Sequence, residues 1–302
     1  MPGRFGRVLT AMATPFSRDG ALDVDGAQIL ARHLLEHGTD TLVVAGTTGE
    51  SPTLTHDEKG RLWAAVVDAA GDGRRVMAGT STYSTAESVE LTQLAEKAGA
   101  GSLLLVTPYY NKPPQEGLYA HFRAIAASTD LPCVLYNIPS RTACRIEIDT
   151  LLRLAEIDNV VAVKDAVGDM AAASRLYRDT GGALEQYSGD DKNLLPLLAV
   201  GGVGVVSVAS HLVGPALQEL VVAFERGDTR RALQLHVEHL ELFEGLFATT
   251  SPILLKACLS LLGLPAGPLR PPLLDATPAQ VEYVRGLLTG VGLVPARQSA
   301  SG

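Results

Sequence analysis

Eight short apolar runs punctuate the chain, each followed by a longer amphipathic stretch, and this rhythm constrains the fold more than any other feature. The runs fall at 8–13, 41–45, 76–78, 102–106, 133–136, 160–163, 184–187 and 203–206. Between them lie segments with helical periodicity, such as 57–70, 85–98, 116–128, 148–156 and 170–179. In the second of these, Glu87, Glu90, Gln93 and Lys97 supply a polar face while Val89, Leu91, Leu94 and Ala98 supply an apolar one. Strand, helix, strand at this spacing reads as βαβ units, whose parallel strands are covered on both faces and are therefore apolar throughout. Eight such units without a topological break predict a closed (β/α)8 barrel rather than an open doubly wound sheet. Beyond it only helical patterns follow, at 229–247, 252–262 and 278–288, with Pro265, Pro268, Pro271 and Pro272 between the last two. The expectation is a barrel domain over residues 1–228 and a helical C-terminal extension over 229–302, with a disordered tail at 295–302.

Composition narrows the function. A formal net charge of −8 argues against non-specific nucleic-acid binding. The charged fraction of 19% is low, as expected when extra surface is buried between subunits. Three cysteines, Cys133, Cys144 and Cys258, are widely spaced and suggest neither a disulfide framework nor a zinc site, so reduced cytoplasmic thiols are expected. No signal peptide is expected, because the N-terminal charges are not followed by the longer apolar h-region that such a leader needs. From Leu194 to Leu217 there is no Asp, Glu, Lys or Arg, a length that would satisfy the ~18 residues of a membrane span. Pro196, Gly201, Gly202, Gly204, Gly214 and Pro215 interrupt it, and a short helix, a buried strand and a new helix explain it better.

In a (β/α)8 barrel, chemistry sits at the C-terminal ends of the strands. Five polar clusters fall there: Gly46-Thr-Thr-Gly-Glu-Ser51, Thr107-Pro-Tyr-Tyr-Asn111, Tyr136-Asn-Ile-Pro-Ser-Arg-Thr142, Lys164-Asp165 and Ser188-Gly-Asp-Asp191. Lys164 ends an apolar run. Pointing inward, it would be desolvated, its pKa would fall from ~10.4, and the free amine could attack a ketone to form an imine. Alone, Lys164 reads more readily as a lysine snorkelling to water or paired with Asp165, and it is the neighbouring clusters that favour the imine. Tyr136, one strand earlier, can shuttle the protons that imine formation needs. The Thr47-Thr48 turn can offer backbone N–H groups to a carboxylate, and Arg141 can clamp another. Asp190 and Asp191 read as a helix N-cap pair rather than Mg²⁺ ligands. Gly201-Gly-Val-Gly precedes a strand, so it is no dinucleotide fingerprint. No histidine pair with ligand spacing falls at the barrel mouth, and no metal is expected.

These clusters, together and in order, closely resemble the 4-hydroxy-tetrahydrodipicolinate synthase (dihydrodipicolinate synthase) family, within the N-acetylneuraminate lyase superfamily of class I pyruvate aldolases. The resemblance runs from about Val8 to Leu288. It implies a Schiff base between Lys164 and pyruvate and a proton relay of Tyr136, Thr48 and Tyr110, with Tyr110 entering a neighbouring subunit's site. It further implies that Thr47 and Thr48 hold the pyruvate carboxylate and that Arg141 binds aspartate 4-semialdehyde. Gly189 and Val206 would line the pocket. No cofactor beyond the Schiff base is implied, and the implied assembly is a homotetramer, a dimer of dimers. The Arg141-Thr142 pair favours this branch over the sialic acid lyases.

The chain also departs from the family. Members inhibited by lysine bind it at a dimer interface, and Ser51, His56, Glu87 and Tyr109 match that pocket. Lys59 stands where such members carry a histidine, and Tyr83 where they carry an asparagine. A cation at Lys59 would repel the ligand's ammonium and Tyr83 would crowd it, so weak or absent lysine inhibition is expected. The segment 247–253 lacks the family's Glu-Pro-Asn-Pro pattern, which puts the C-terminal helical contacts in question. Two other functions fit the sequence: another pyruvate-dependent aldolase or sugar-acid lyase or dehydratase, and an inactive barrel serving as a binding protein.

Overall fold

The structure, a computed structural model, describes residues 3–295. The tail expected to be disordered lies, Pro295 apart, outside the described residues. Strands and helices alternate from β1 (Val8–Ala11), α1 (Val24–Glu36), β2 (Thr41–Val44), α2 (His56–Ala70), β3 (Val76–Gly79), α3 (Thr85–Lys97) and β4 (Ser102–Val106) to α4 (Gln115–Ala126) and β5 (Cys133–Asn137). The series continues with α5 (Pro139–Thr142), α6 (Ile148–Leu154), β6 (Val160–Asp165), α7 (Met170–Thr180), β7 (Glu185–Ser188), α8 (Leu194–Leu198), β8 (Gly204–Ser207) and α9 (Ser210–Glu225). Three helices follow, α10 (Thr229–Gly245), α11 (Ile253–Leu261) and α12 (Pro278–Gly290).

All eight strands pair in parallel, and the sheet closes where Leu9 of β1 meets Val206 of β8. This is the predicted (β/α)8 barrel with a helical C-terminal extension. Strands β1, β2 and β8 are buried at every residue, as expected of strands between a packed interior and a ring of helices. The uncharged stretch from Leu194 resolves into α8, β8 and the start of α9. No helix among the described residues is long and apolar enough to cross a membrane.

Local signals set the helix ends. Thr55 and Glu58 form a capping box at the start of α2, and Gly71, in the left-handed region, ends it. Thr277 and Gln280 cap α12 in the same way, with Pro278 in its first turn.

One irregularity matters for the site. Between β5 and β6 the register shifts by a residue, so that Cys133 faces Val160 but Val134 faces Ala162. The shift brings Tyr136 level with Lys164. Without it Tyr136 would pair with Val163, whose side chain points to the opposite face, because strand side chains alternate. Above β2, Ala45 adopts a left-handed φ of 57°, unusual for a residue with a Cβ. Its carbonyl then presses onto Gly79 at the end of β3, where an added Cβ would lie 2.5 Å from the Ala45 oxygen. Gly79→Ala should therefore lower stability by about 1–3 kcal/mol. Urea denaturation checks this, and an unchanged midpoint would contradict it.

Candidate active site

Lys164 is 5% exposed, at the C-terminal end of β6, so the reading of a lysine snorkelling to water fails. It forms no ion pair with Asp165, whose carboxylate instead accepts from Gly168 N at 3.4 Å. Its Nζ lies 4.0 Å from the centroid of the Tyr136 ring. Burial pulls the Lys164 pKa down to about 7, with Arg141 acting in the same direction and Asp191 opposing. At pH 8 roughly nine-tenths of such an amine is neutral, against well under 1% at the ordinary pKa.

Tyr136 is buried too, and desolvation raises its pKa to about 12, while Arg141 and a hydrogen bond with Thr47 act to lower it. The phenol therefore stays protonated and able to donate. The turn residue that meets its hydroxyl is Thr47, whereas the relay that the resemblance implies contains Thr48. Thr48 is buried and is not among the residues lining the adjacent cavity.

That cavity, of about 210 Å³, is lined by Thr47, Ser51, Tyr109, Tyr136, Arg141 and Thr142, among others. The turn above β2 supplies one wall. Within it Gly49 N and Ser51 N donate to Gly46 O, and Glu50 N donates to Thr47 O at 3.1 Å. The N–H groups of Thr47 and Thr48 donate to no acceptor among the described residues. Two unsatisfied adjacent amides in a tight turn are a ready carboxylate cradle.

Arg141 sits in α5, a single helical turn, because Pro139 fixes the first φ of that turn. Its guanidinium is at the rim and reaches Ser251 O at 3.5 Å. The segment 247–253 thus packs against this arginine. Gly189 and Val206 are not among the cavity's lining residues. Val206 is buried in β8, and Gly189 follows β7 with its N–H on Asp165 O at 2.7 Å. A Cβ at Gly189 would come within 2.8 Å of the Ala166 Cβ.

Tyr110 is 90% exposed and held at a φ of 74°. Tyr109, beside it, lies edge-on to Tyr83 at 5.3 Å between ring centroids. Nearby, Glu87 has both oxygens engaged, by His56 Nε2 at 3.0 Å and by the Thr82 hydroxyl at 2.7 Å. Lys59 is buried in α2, and desolvation lowers its pKa against the pull of Glu87. Among the described residues, no group of three or more His, Cys, Asp or Glu side chains could hold a metal ion.

Asp191 is not the second member of an N-cap pair that its sequence context suggests. Asp190 does cap the single 3-10 turn 191–193, but Asp191 is wholly buried. It accepts from the Ser207 hydroxyl and from Val208 N and Ala209 N at 3.2 and 3.0 Å. Its carboxyl is pushed up by burial, and its charge raises the Lys164 pKa. The only signal in the sequence was its place at a strand end.

An amine kept neutral in this way adds readily to a carbonyl, and an imine beside an enolisable carbon is the electron sink of class I aldolases. The protein is an enzyme of that kind, an aldolase-type lyase. A sequence profile for the dihydrodipicolinate synthetase family matches residues 4–290. A 4-hydroxy-tetrahydrodipicolinate synthase from Acidothermus cellulolyticus is 55% identical, covering 99% of this chain and 96% of its own. The crystal structure of the enzyme from Cyanidioschyzon merolae with lysine bound is 46% identical, with a TM-score of 0.93, covering 96% of this chain and 99% of that one. The chloride-inhibited dihydrodipicolinate synthase of Acinetobacter baumannii, complexed with pyruvate, is 36% identical with a TM-score of 0.93, covering 96% of this chain and 100% of that one. The chain belongs to the dihydrodipicolinate synthetase family.

If Lys164 must be neutral to react, kcat/KM for the carbonyl substrate falls as pH drops through about 7, since that ratio reports the free enzyme. Asp191→Asn removes the negative charge that holds this pKa up, so the acid limb should move to lower pH. A pH–rate profile in which the limb rises or stays fixed would contradict the assignment.

Proposed function

We propose that this chain condenses pyruvate with L-aspartate 4-semialdehyde, the reaction of 4-hydroxy-tetrahydrodipicolinate synthases, in the diaminopimelate route to lysine. The observation that carries the proposal is the buried Lys164 in register with Tyr136, in a chain 55% identical to a synthase of that name. The Lys164 amine attacks the pyruvate ketone, and the carbinolamine loses water to give an imine. Loss of a methyl proton gives the enamine, which attacks the aldehyde carbon. The product then cyclises and leaves, releasing the lysine. The imine is itself the electron sink, so the chemistry calls for no cofactor and no metal.

Tyr136 donates and recovers protons at the carbinolamine oxygen. Its bond to Thr47 supports Thr47 in the relay position that the resemblance gave to Thr48. The amides of Thr47 and Thr48 take the pyruvate carboxylate, and Arg141 at the rim takes the carboxylate of the semialdehyde. Gly189 and Val206 shape the Lys164 side of the pocket. Tyr110 completes the relay from a neighbouring subunit, and its exposure on a strained backbone supports that reading. The assembly is a homotetramer, a dimer of dimers, in the cytoplasm, with residues 1–228 as catalytic domain and 229–302 as extension.

Two measurements test this. A coupled assay should give turnover with aspartate 4-semialdehyde and none with N-acetylmannosamine, and the reverse preference would assign the chain to another branch. In that assay Lys164→Ala should cost on the order of 10³ or more in kcat, and Tyr110→Phe about tenfold or more.

The lysine pocket is degenerate in this chain. Glu87, the carboxylate that would meet a ligand ammonium, is already occupied by His56 and Thr82, with Lys59 behind it. Titrating L-lysine into the millimolar range should leave the rate nearly unchanged, and clear inhibition would overturn this reading.

A further inference from the structure

Glu50 and Lys256 form an ion pair with both side chains almost wholly buried, at 2.7 Å and 1% and 2% exposed. Glu50 closes the turn above β2, whereas Lys256 lies on α11 in the C-terminal extension. The second oxygen of Glu50 accepts from Arg270 N at 3.0 Å. Both oxygens of this carboxylate are therefore engaged from beyond the barrel. Lys256 also donates to Pro268 O at 2.9 Å and stands over the Phe16 ring.

A second contact of the same kind lies alongside. Arg270 forks onto Glu58 at 2.5 and 2.9 Å and donates to Thr53 O at 2.8 Å, so the loop after the turn is held by the same segment. The Arg270 guanidinium draws the Glu58 carboxyl down to a pKa of about 2.

The turn needs such an anchor. Ala45 before it and Glu50 at its end both occupy the left-handed region, at φ of 57° and 54°, and neither is glycine. Such residues persist only where their surroundings over-determine them. Glu50 N bonds to Thr47 O, and the Thr14 hydroxyl donates to Gly49 O at 2.7 Å. Releasing Glu50 would let the turn relax and would shift the unpaired amides of Thr47 and Thr48.

We propose that the Glu50–Lys256 pair is a positioning device, through which the C-terminal extension holds the Thr47-Thr48 amides in place for the carboxylate of the keto acid. This rests on the reading that those amides bind pyruvate. The pair touches no substrate. It acts on one of the two substrates and leaves the semialdehyde at Arg141 alone. A buried pair is rarely worth much as net stability, whereas removing one partner strands a charge, so its retention fits a role in geometry.

The test is steady-state kinetics on Lys256→Met and Glu50→Gln in the full chain, varying each substrate at saturating levels of the other. Each folded variant should raise KM for pyruvate about tenfold or more, because small misplacements at a binding turn cost that much. The KM for aspartate 4-semialdehyde should stay within about twofold, while kcat, which depends on Thr47 beside Tyr136, falls with the loss of pyruvate binding. Should Lys256→Met fail to fold, Glu50→Gln, which keeps the shape and a hydrogen bond to Lys256, decides the question. An unchanged pyruvate KM in a folded variant overturns the proposal. So does an equal rise in both KM values, which would mark a purely structural contact. A wild-type enzyme that does not consume pyruvate would instead sink the substrate reading, and this proposal with it.

Discussion

Everything at this site depends on keeping water from one amine. A lysine in water is protonated and inert toward ketones, and the chain changes that by ending an apolar strand with Lys164 and closing the Tyr136 ring over it. The balance is fine. Burial and the Arg141 charge push the ammonium toward losing its proton, while Asp191 holds it back, and the result lies near neutrality rather than far below it. An amine whose pKa sits near the working pH is both available and nucleophilic. Burial likewise keeps the Tyr136 phenol protonated, so acid and nucleophile both arise from desolvation.

The barrel supplies this environment in layers. Lys164 and Tyr136 sit on strands, whose backbone is fixed by pairing on both sides, and the register shift at Cys133 sets them on the same face. The groups assigned to carboxylates sit on turns, which are adjustable and need external support. The Thr47-Thr48 turn is tied through Glu50 to α11, and Arg141 reaches the segment just before α11. The extension thus contacts the two elements to which substrate binding is assigned.

Much of this was legible in the sequence, for physical reasons. Parallel strands buried on both faces must be apolar, so runs such as Leu103-Leu-Leu-Val106 and Val160-Val-Ala-Val163 could be read directly. Strand β7 was harder, since Glu185, Gln186 and Ser188 are polar. Glu185 accepts from Arg4 N, and the Tyr187 hydroxyl accepts from Phe5 N, so this strand is stabilised by an N-terminal segment distant in sequence. Long-range partners were invisible throughout. Asp191 looked like a cap because its acceptor role toward Val208 and Ala209 exists only after β7 and β8 pair. Glu50 was one letter of a motif until Lys256 came to meet it. The exchange of Thr48 for Thr47 beside Tyr136 turns on which side chain of a tight turn faces the cavity, which adjacent identical residues cannot disclose.

The central claim is that Lys164, and no other lysine, carries the keto acid. Reducing the enzyme with borohydride in the presence of pyruvate, then digesting it and mapping the peptides by mass spectrometry, tests this directly. The account predicts a single pyruvyl adduct, on the peptide containing Lys164, absent when either reagent is omitted. An unmodified Lys164 peptide, or an adduct on Lys59, Lys192 or Lys256, would contradict it.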